Sequence, residues 1–395
     1  MQSARKISKG FIARACRGEN GVILIAVLTL MVTLILVGAT TYIVSSSNVK
    51  IGANFKSSET VLQVAMAGVE KAREALRAAN AASTVTTDFS QELAARVGAN
   101  GVLNGYTTTT DDVAMATGTM SVAGKTYTYN AYLNNDSTDG ASSTTDSNAQ
   151  AVITSVATGP NGAKASVTTT VKIYTFSGSS PAALYSKDNT TLNGSSINIS
   201  GTDAGNCGGA NLSAVYVYSD PATNNTHTLT QNGSPTLGGT PATQIGTTSL
   251  DLQSYIDTLK GSATVTLTAD VSASGNATTS YGSSTNYATV YSDATQQGDG
   301  ELRLNNVTGY GILLVKGNLQ LAGNINWHGI IIATGVVTTS GGGGNAKNIE
   351  GQVYSGQSAL GDTTVNGGVT ISYNSCEVKK SLSSQPLTVV NWKQN

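Results

Sequence analysis

One stretch constrains this chain of 395 residues more than any other. An apolar run from Val22 to Val44 continues without a break into an amphipathic segment. The run contains no charged residue, and it is long enough to cross a bilayer, which takes about 20 apolar residues. It follows a short basic leader, whose charged residues are Arg5, Lys6, Lys9, Arg14, Arg17 and Glu19. The excess of basic residues predicts a cytoplasmic leader, with everything after the run outside.

A conventional secretory signal is the alternative for this run. Signal peptides have an apolar core of roughly 7–15 residues and then a cut site between small residues. Here the run is longer. It ends in Ser45-Ser46-Ser47-Asn48 and passes into further helix-forming sequence. The pattern therefore favours a lasting membrane helix.

The segment from Asn48 to Ala79 predicts that the helix continues beyond the membrane. It contains no proline, and it has the seven-residue spacing of an amphipathic stripe. The stripe consists of Phe55, Leu62, Val69 and Leu76, with Ala65, Ala72 and Ala79 offset by three. We expect one helix from about Val22 to Ala79, its first half in lipid and its second half against a soluble domain. A signal anchor with a short coiled coil is the alternative.

These features resemble type IV pilins, and more narrowly the PilX-like minor pilins. The resemblance lies in the basic leader ending in glycine, the apolar helix, the step Asn54-Phe55-Lys56, and the segment Ala65-Met66-Ala67-Gly68-Val69-Glu70. It covers about the first 80 residues specifically. It implies cleavage by prepilin peptidase between Gly21 and Val22, and methylation of the new amino terminus at Val22.

Two positions near the cut refine that expectation. Cleavage after Gly18 is the other candidate, but it would leave Glu19 as the first residue and place a charge in the apolar helix. Major pilins carry glutamate at the fifth mature position, where this chain has Ala26. That glutamate pairs with the amino terminus of a neighbouring subunit, and a buried unpaired carboxylate costs several kcal/mol. Its absence favours a tip or initiating subunit; a chance substitution is the alternative.

The composition is that of an exported, β-rich protein. Only 11% of the residues are charged, against about 25% in typical soluble proteins. Removing residues 1–21 takes away five basic groups and one acid, which moves the formal charge from −1 to −5. No basic patch follows, so nucleic-acid binding is not indicated.

Cysteine usage supports the same compartment. Cys16 lies in the leader, which leaves Cys207 and Cys376 in the mature chain. Two cysteines in an oxidising compartment most simply form one disulfide. A pair of buried free thiols is the alternative.

Pattern shifts divide the chain into four parts. They are a leader (1–21), the helix (22–80, with 22–44 transmembrane), a β domain (81–178) and an outer β-rich domain (182–395). Strand patterns in the third part cover Met120–Leu133, Ala149–Thr158 and Ala163–Phe176, the last two joined by the turn Gly159-Pro160-Asn161-Gly162. The predicted class is α+β: a long amino-terminal helix on a small antiparallel sheet, followed by a mainly β domain.

The outer domain contains an internal repeat. Apolar runs bounded by glycine begin at Gly311, Gly329 and Gly351, 18 and 22 residues apart, and Leu184–Gly201 resembles an earlier copy. Several short strands in each repeat predict a parallel β-solenoid. An antiparallel sandwich is the alternative. We expect a helical insert at Leu250–Leu259.

No catalytic motif is present, so we expect neither an enzyme nor a cofactor. His227 and His328 are far apart in sequence, and a structural role is expected for His328. Asn135, Asp139 and Asp146 loosely resemble a calcium loop, but the first ligand is not Asp and the last is not Glu. A solvated hairpin loop is the competing interpretation.

The sequence and the resemblance together predict a minor pilin that primes or caps a type IV pilus and exposes a large β domain. Implied partners are other pilins, bound through the helix, the inner membrane before assembly, prepilin peptidase, and a surface or glycan ligand. The chain would be a single-pass inner-membrane protein before assembly and would then join the pilus at the cell surface. The alternatives are a GspK-like pseudopilin of type II secretion and a membrane-anchored carbohydrate-binding solenoid.

Overall fold

The computed structural model describes residues 20–82, 88–106, 111–174, 180–273, 277–340, 346–358 and 361–394, with side chains from Val22 onwards in the first range. Most of the predicted leader, including the alternative cut site at Gly18, lies outside the described residues.

The elements follow the predicted order. The first part contains α1 (Asn20–Ala82), α2 (Ser90–Ala94), β1 (Ala116–Val122), β2 (Lys125–Asn135), β3 (Gln150–Thr158) and β4 (Lys164–Lys172). The outer part begins with β5 (Ala182–Ser186), β6 (Thr190–Asn193), β7 (Ile197–Ser200), β8 (Ser213–Tyr218), β9 (Leu229–Asn232), β10 (Thr236–Gly238), β11 (Thr243–Gly246) and α3 (Leu252–Leu259). It continues with β12 (Val265–Leu267), β13 (Val271–Ser272), β14 (Thr279–Tyr281), β15 (Ala288–Asp293), β16 (Glu301–Lys316) and β17 (Asn318–Ala333). The last elements are β18 (Val337–Thr339), β19 (Lys347–Ser355), β20 (Thr363–Asn366), β21 (Val369–Ser372), α4 (Ser375–Ser383) and β22 (Thr388–Gln394).

Helix α1 is a single helix of 63 residues, which at 1.5 Å per residue is about 95 Å long. Its carboxy-terminal half packs on the sheet through residues spaced at i, i+3, i+4 and i+7, as an amphipathic helix should. The fully or nearly fully buried apolar ones are Val61, Val64, Ala65, Val69, Ala72 and Leu76. Phe55, which the seven-residue spacing placed in this stripe, is instead 71% exposed. The spacing extends beyond the edge of the sheet, where no described residue covers the helix.

Gly68 permits the close contact between α1 and the sheet. A Cβ atom on Gly68 would lie 2.3 Å from Ser155 Oγ and 2.8 Å from a ring carbon of Tyr129. By contrast, no atom of the described residues lies within 4 Å of a Cβ placed on Gly52. The glycine of the pilin-like segment is therefore a packing residue.

The sheet under α1 has five antiparallel strands in the order β1-β2-β3-β4-β22. The first strand predicted from sequence, Met120–Leu133, is in fact parts of β1 and β2, separated by a tight turn. Ala123 and Gly124, at the turn, both have positive φ (51° and 73°), as a two-residue hairpin turn requires.

Strand β22 returns the carboxy-terminal segment to this first sheet. It pairs antiparallel with β4, from Thr388 opposite Lys172 to Gln394 opposite Val167. The predicted range 182–395 assigned this segment to the outer domain. In the structure, the outer domain is an insertion between β4 and β22.

The outer part is a parallel β-solenoid with three faces, and every pairing among its named strands is parallel. This confirms the predicted α+β class and excludes the antiparallel sandwich. The repeat also has the predicted register, because Gly311 lies opposite Gly329 and Gly329 opposite Gly351. All three have positive φ, and a Cβ on Gly351 would lie 1.8 Å from the carbonyl oxygen of Gly329. Only glycine fits this corner of the coil.

The coils do not stack in sequence order. The chain enters at β5 and stacks outwards through β8 to β11. It then passes through α3 to β12, at the opposite end, and builds inwards through β15, β16 and β17 to β19. Strand β19 finally pairs with β5, with Val353 opposite Leu184. The chain therefore enters and leaves the solenoid near its middle.

Helix α3 lies where a helical insert was predicted, and it explains the continuous apolar runs. Its buried residues Leu252, Tyr255, Ile256 and Leu259 pack on Ile312, Leu314, Ile330 and Ile332. The alternate residues of the same strands, Leu313, Val315, Ile331 and Ala333, point into the solenoid core. These runs are apolar throughout because the strands are covered on both faces there. Stacking inside the solenoid alone would bury only every second residue.

Candidate functional site: the uncovered half of the helix

The amino-terminal half of α1 has no cover in the described structure. Between Val22 and Phe55, its large apolar side chains are 48–75% exposed, with Val32 the lowest and Tyr42 the highest. It is the one helix in the described ranges long and apolar enough to cross a membrane. A soluble monomer rarely leaves so large an apolar surface in water, so this surface requires lipid or a protein partner.

The threonines within the run do not disturb its apolar character. Thr29 donates to the carbonyl oxygen of Ile25 (2.7 Å), and Thr41 donates to that of Val37 (2.7 Å). Thr33 and Thr40 bond to the preceding turn in the same way. Because each hydroxyl is satisfied within the helix, the polar groups cost little in a medium without water.

The residues implied by the pilin resemblance lie at the start of this half. The Gly21–Val22 bond falls in the first turn of α1, which begins at Asn20. Ala26 is exposed one turn further along, on the same side of the helix as Val22. No charged residue occurs from Val22 to Val49, and Lys50 is the first.

The packed half of α1 is joined to the carboxy-terminal segment by two arginines. Arg73 donates to the carbonyl oxygen of Leu387 (2.8 Å), and Arg77 donates to that of Ser384 (3.2 Å). Each arginine is also paired with the acid three residues before it, and the hydrogen bond from Arg77 lowers the pKa of Glu74. The helix is thus fastened to the segment in which the chain leaves the solenoid.

A disulfide between Cys207 and Cys376 lies at the same exit, with the two Cα atoms 5.1 Å apart. Cys207 is in the loop between β7 and β8, and Cys376 is in α4. Close to the disulfide, Asp203 accepts hydrogen bonds from the backbone N–H (2.8 Å) and the hydroxyl (2.6 Å) of Ser375, the residue before Cys376. Burial alone would raise the pKa of Asp203, but these bonds outweigh it and lower the pKa.

The calcium candidate is a loop held together by its own carboxylates. Asp146 accepts the backbone N–H groups of Phe89, Asn148 and Ala149, and Asp139 accepts both the N–H and the hydroxyl of Ser147. Asn135 donates to the carbonyl oxygen of Thr145. Within the described residues, no group of three His, Cys, Asp or Glu side chains is placed to hold a metal ion. The geometry favours the hairpin-loop interpretation.

The two histidines lie in different coils of the solenoid, and each has a structural role. His328 stacks on Tyr310 with ring centroids 4.4 Å apart, and its Nδ1 lies 3.3 Å from Glu350. His227 is buried and contacts Asn225 (2.7 Å) and Asp188 (3.5 Å). Each histidine therefore helps to hold two neighbouring coils of the solenoid together.

Three buried polar side chains, one each from α1, α2 and α4, were not predicted from the sequence. Asn80, Glu92 and Lys379 are 0%, 4% and 6% exposed, and each has a side-chain atom without a hydrogen-bond partner. Burial raises the pKa of Glu92, and nearby Asp88 and Asp146 raise it further. Burial lowers the pKa of Lys379. No sequence signal marks these residues, since polar side chains on helices are ordinarily solvated.

Comparison with known proteins adds little beyond this geometry. No protein-family model matches the sequence, and no curated protein does. Among solved structures, the chain is similar to the competence-associated pilin ComZ from Thermus thermophilus, at 13% identity and a TM-score of 0.24. The match covers 86% of this chain and 98% of that one. A similarity at this level carries no argument about fold or function.

Proposed function

We propose that this chain is a minor pilin, held in the inner membrane by the first half of α1 until it enters a pilus through that same surface. The observation that carries the proposal is the continuity of one helix with two environments. Its carboxy-terminal half is buried by the chain's own sheet from Val61 onwards, whereas its amino-terminal half is uncovered. Such a helix can exchange lipid for other apolar helices without changing the folded domain.

The membrane stage agrees with the length of the uncovered half. Residues Val22 to Val44 would span about 35 Å as a helix, close to the hydrocarbon thickness of about 30 Å. The basic leader orients the amino terminus to the cytoplasm. Prepilin peptidase would then cut between Gly21 and Val22, and Val22 would become the methylated amino terminus.

Ala26 supports a priming or tip position over a shaft position. In lipid or in a helical bundle, a carboxylate at this position would need a partner, because a buried unpaired charge costs several kcal/mol. A subunit with no neighbour ahead of it has no amino terminus to supply that partner. The large β insertion, placed away from the uncovered half, would project from the filament.

Site-directed cross-linking tests the proposal. The mature chain would have no free cysteine, since Cys207 and Cys376 are bonded to each other. A Phe55→Cys variant therefore introduces a single reactive thiol in the uncovered half. We expect a bifunctional thiol–amine reagent to join it to another pilin-type subunit in cells.

The matched control is Thr226→Cys, another exposed position, on a loop of the outer domain. It should give no pilin adduct. Adducts from Thr226→Cys but not from Phe55→Cys would refute the proposed assembly surface. Adducts with type II secretion pseudopilins in place of pilus subunits would assign the chain to that machinery instead.

A further inference from the structure

The outer face of the first sheet, which points away from α1, contains a cleft of about 550 Å³. Its floor is formed by Val152, Thr154 and Thr170, on the outward-facing positions of β3 and β4. One wall is the loop Asn104–Tyr106, and the other is the turn from Asp136 to Ala141. The volume is within the range of small-molecule sites, about 300–1,000 Å³.

The first wall is preformed by a buried acid and a glycine. The Asp112 carboxylate, 8% exposed, accepts the backbone N–H groups of Asn104 (2.6 Å) and Gly105 (2.5 Å). Gly105 has a φ of +62°, and a Cβ there would lie 1.6 Å from Asn134 Oδ1. Glycine is thus required for the loop to lie against β2 in this way.

The second wall is the loop that the sequence presented as a calcium candidate. Its acids hold the backbone: Asp136 accepts from Asp139 N–H and from Asn148, and Asp139 accepts from Ser147. Asn134 donates to the carbonyl oxygen of Ala141 (3.1 Å) and so ties this wall to β2. Two independently braced walls make a site whose shape exists before any ligand arrives, which reduces the cost of binding.

The fourth side of the cleft is formed by the edge strand. The register of β22 shifts between Val389 and Asn391, so that Val390 is an extra residue opposite β4. Both Val390 and Asn391 line the cleft. Bulges of this kind re-aim side chains beside functional sites.

The chemistry of the lining indicates a neutral, hydroxyl-rich ligand. Asn104, Gln150 and Asn391 present amides, which both donate and accept, and Thr154 and Thr170 present hydroxyls. Among the described lining residues, Asp136 is the one with a carboxylate. Burial would raise the pKa of Asp136, but the hydrogen bonds that it accepts outweigh this effect and lower the pKa. Tyr106 is 39% exposed, and its ring centroid lies 5.9 Å from that of Tyr132. It supplies an aromatic surface for the apolar face of a sugar ring.

We propose that this cleft binds neutral carbohydrate. The site is on the sheet and not on the solenoid, and it faces away from the helix that would enter a filament. It would therefore stay accessible after assembly. Its existence does not depend on the proposed pilus role, because the cleft is formed by one chain.

The test uses the full chain dispersed in detergent micelles, so that a failure of assembly cannot affect it. The probes are an array of neutral hexose and N-acetylhexosamine oligosaccharides, with sialylated and sulfated oligosaccharides as the anionic arm. Titration calorimetry with any bound neutral sugar then compares variants. We expect Tyr106→Ala and Gln150→Ala each to weaken binding by about tenfold or more, and Gln63→Ala, an exposed amide on α1, to leave it unchanged.

Three results would overturn the proposal: no binding to any neutral oligosaccharide, binding confined to the anionic arm, or equal affinity in wild type and both cleft variants. Thermal unfolding of each variant, measured alongside, should match the wild type, because both substituted side chains are at the surface of the cleft.

Discussion

The two halves of α1 belong to one unbroken helix, yet they differ in how their apolar side chains are arranged and covered. In the packed half, one face of the helix lies on the sheet, and Val61, Val64, Val69 and Leu76 on that face are at most 2% exposed. In the uncovered half, apolar residues surround the helix, and all of the large ones are exposed. A helix that is apolar on every side is buried in a large core or in a membrane. The fold of the chain thus accounts for one half, and the other half indicates a partner outside the chain.

The largest expected contrast in stability is between shortening a leucine in the packed half and shortening one in the uncovered half. Leu76→Ala removes a fully buried side chain and should lower the free energy of unfolding by about 2–5 kcal/mol. Leu30→Ala, in the uncovered half, should change it by less than about 0.5 kcal/mol, because it makes no contact within the domain. Denaturant titration of both variants in the same detergent checks this. Equal losses would mean that the uncovered half belongs to the folded core.

The two glycines of the helix sharpen the comparison. Gly68→Ala forces a Cβ against Ser155 and Tyr129, so we expect a loss of about 1–3 kcal/mol in unfolding free energy. The Cβ added by Gly52→Ala has no atom within 4 Å in the part of the chain that the structure describes. It should leave the unfolding of the domain unchanged, although it favours the isolated helix by about 0.5–1 kcal/mol. A destabilising Gly52→Ala would contradict the picture of an uncovered half.

The smallest expected effect is a pH dependence at the end of the packed half. Burial raises the pKa of Glu92 above its unfolded-state value, an effect that Asp88 and Asp146 increase and Lys379 opposes. The charged carboxylate therefore destabilises the fold at neutral pH. That penalty disappears as the pH falls through the folded-state pKa and is fully absent below the unfolded-state pKa.

Glu92→Gln tests this sign directly. The variant should be more stable than the wild type at pH 8, and the difference should shrink towards pH 4. Unfolding free energies at pH 4, 6 and 8 provide the measurement. Lys56→Gln, in the uncovered half, is the control and should show no such trend. A stability difference that widens on acidification would show that the assignment to Glu92 is wrong.

The sequence was sufficient for the features that depend on local pattern. The helix was expected from about Val22 to Ala79 and runs from Asn20 to Ala82, and the glycine repeat has the expected register. The uncovered half was also predictable, because lipid compatibility depends on composition alone. The position of Phe55 was not, since seven-residue spacing establishes a helical face without showing where the sheet beneath it ends.

The features that could not be predicted depend on pairing between segments that are far apart in the sequence. Strand β22 was not predicted, because its bulge at Val390 breaks the alternation of inward and outward side chains that marks a strand. The order of coils depends on the pairing of Leu184 with Val353, and nothing local encodes a contact between segments so far apart. The cleft could not be foreseen for the same reason: Tyr106, Gln150 and Asn391 come together only in the folded sheet.

The measurement that tests the central claim most directly is the amino terminus of the mature protein, determined by mass spectrometry on material from membranes and from sheared filaments. The account predicts a methylated Val22 as first residue in both fractions, with the apolar helix retained. A product that begins at Met1, or one that has lost the segment up to Val44, would contradict it.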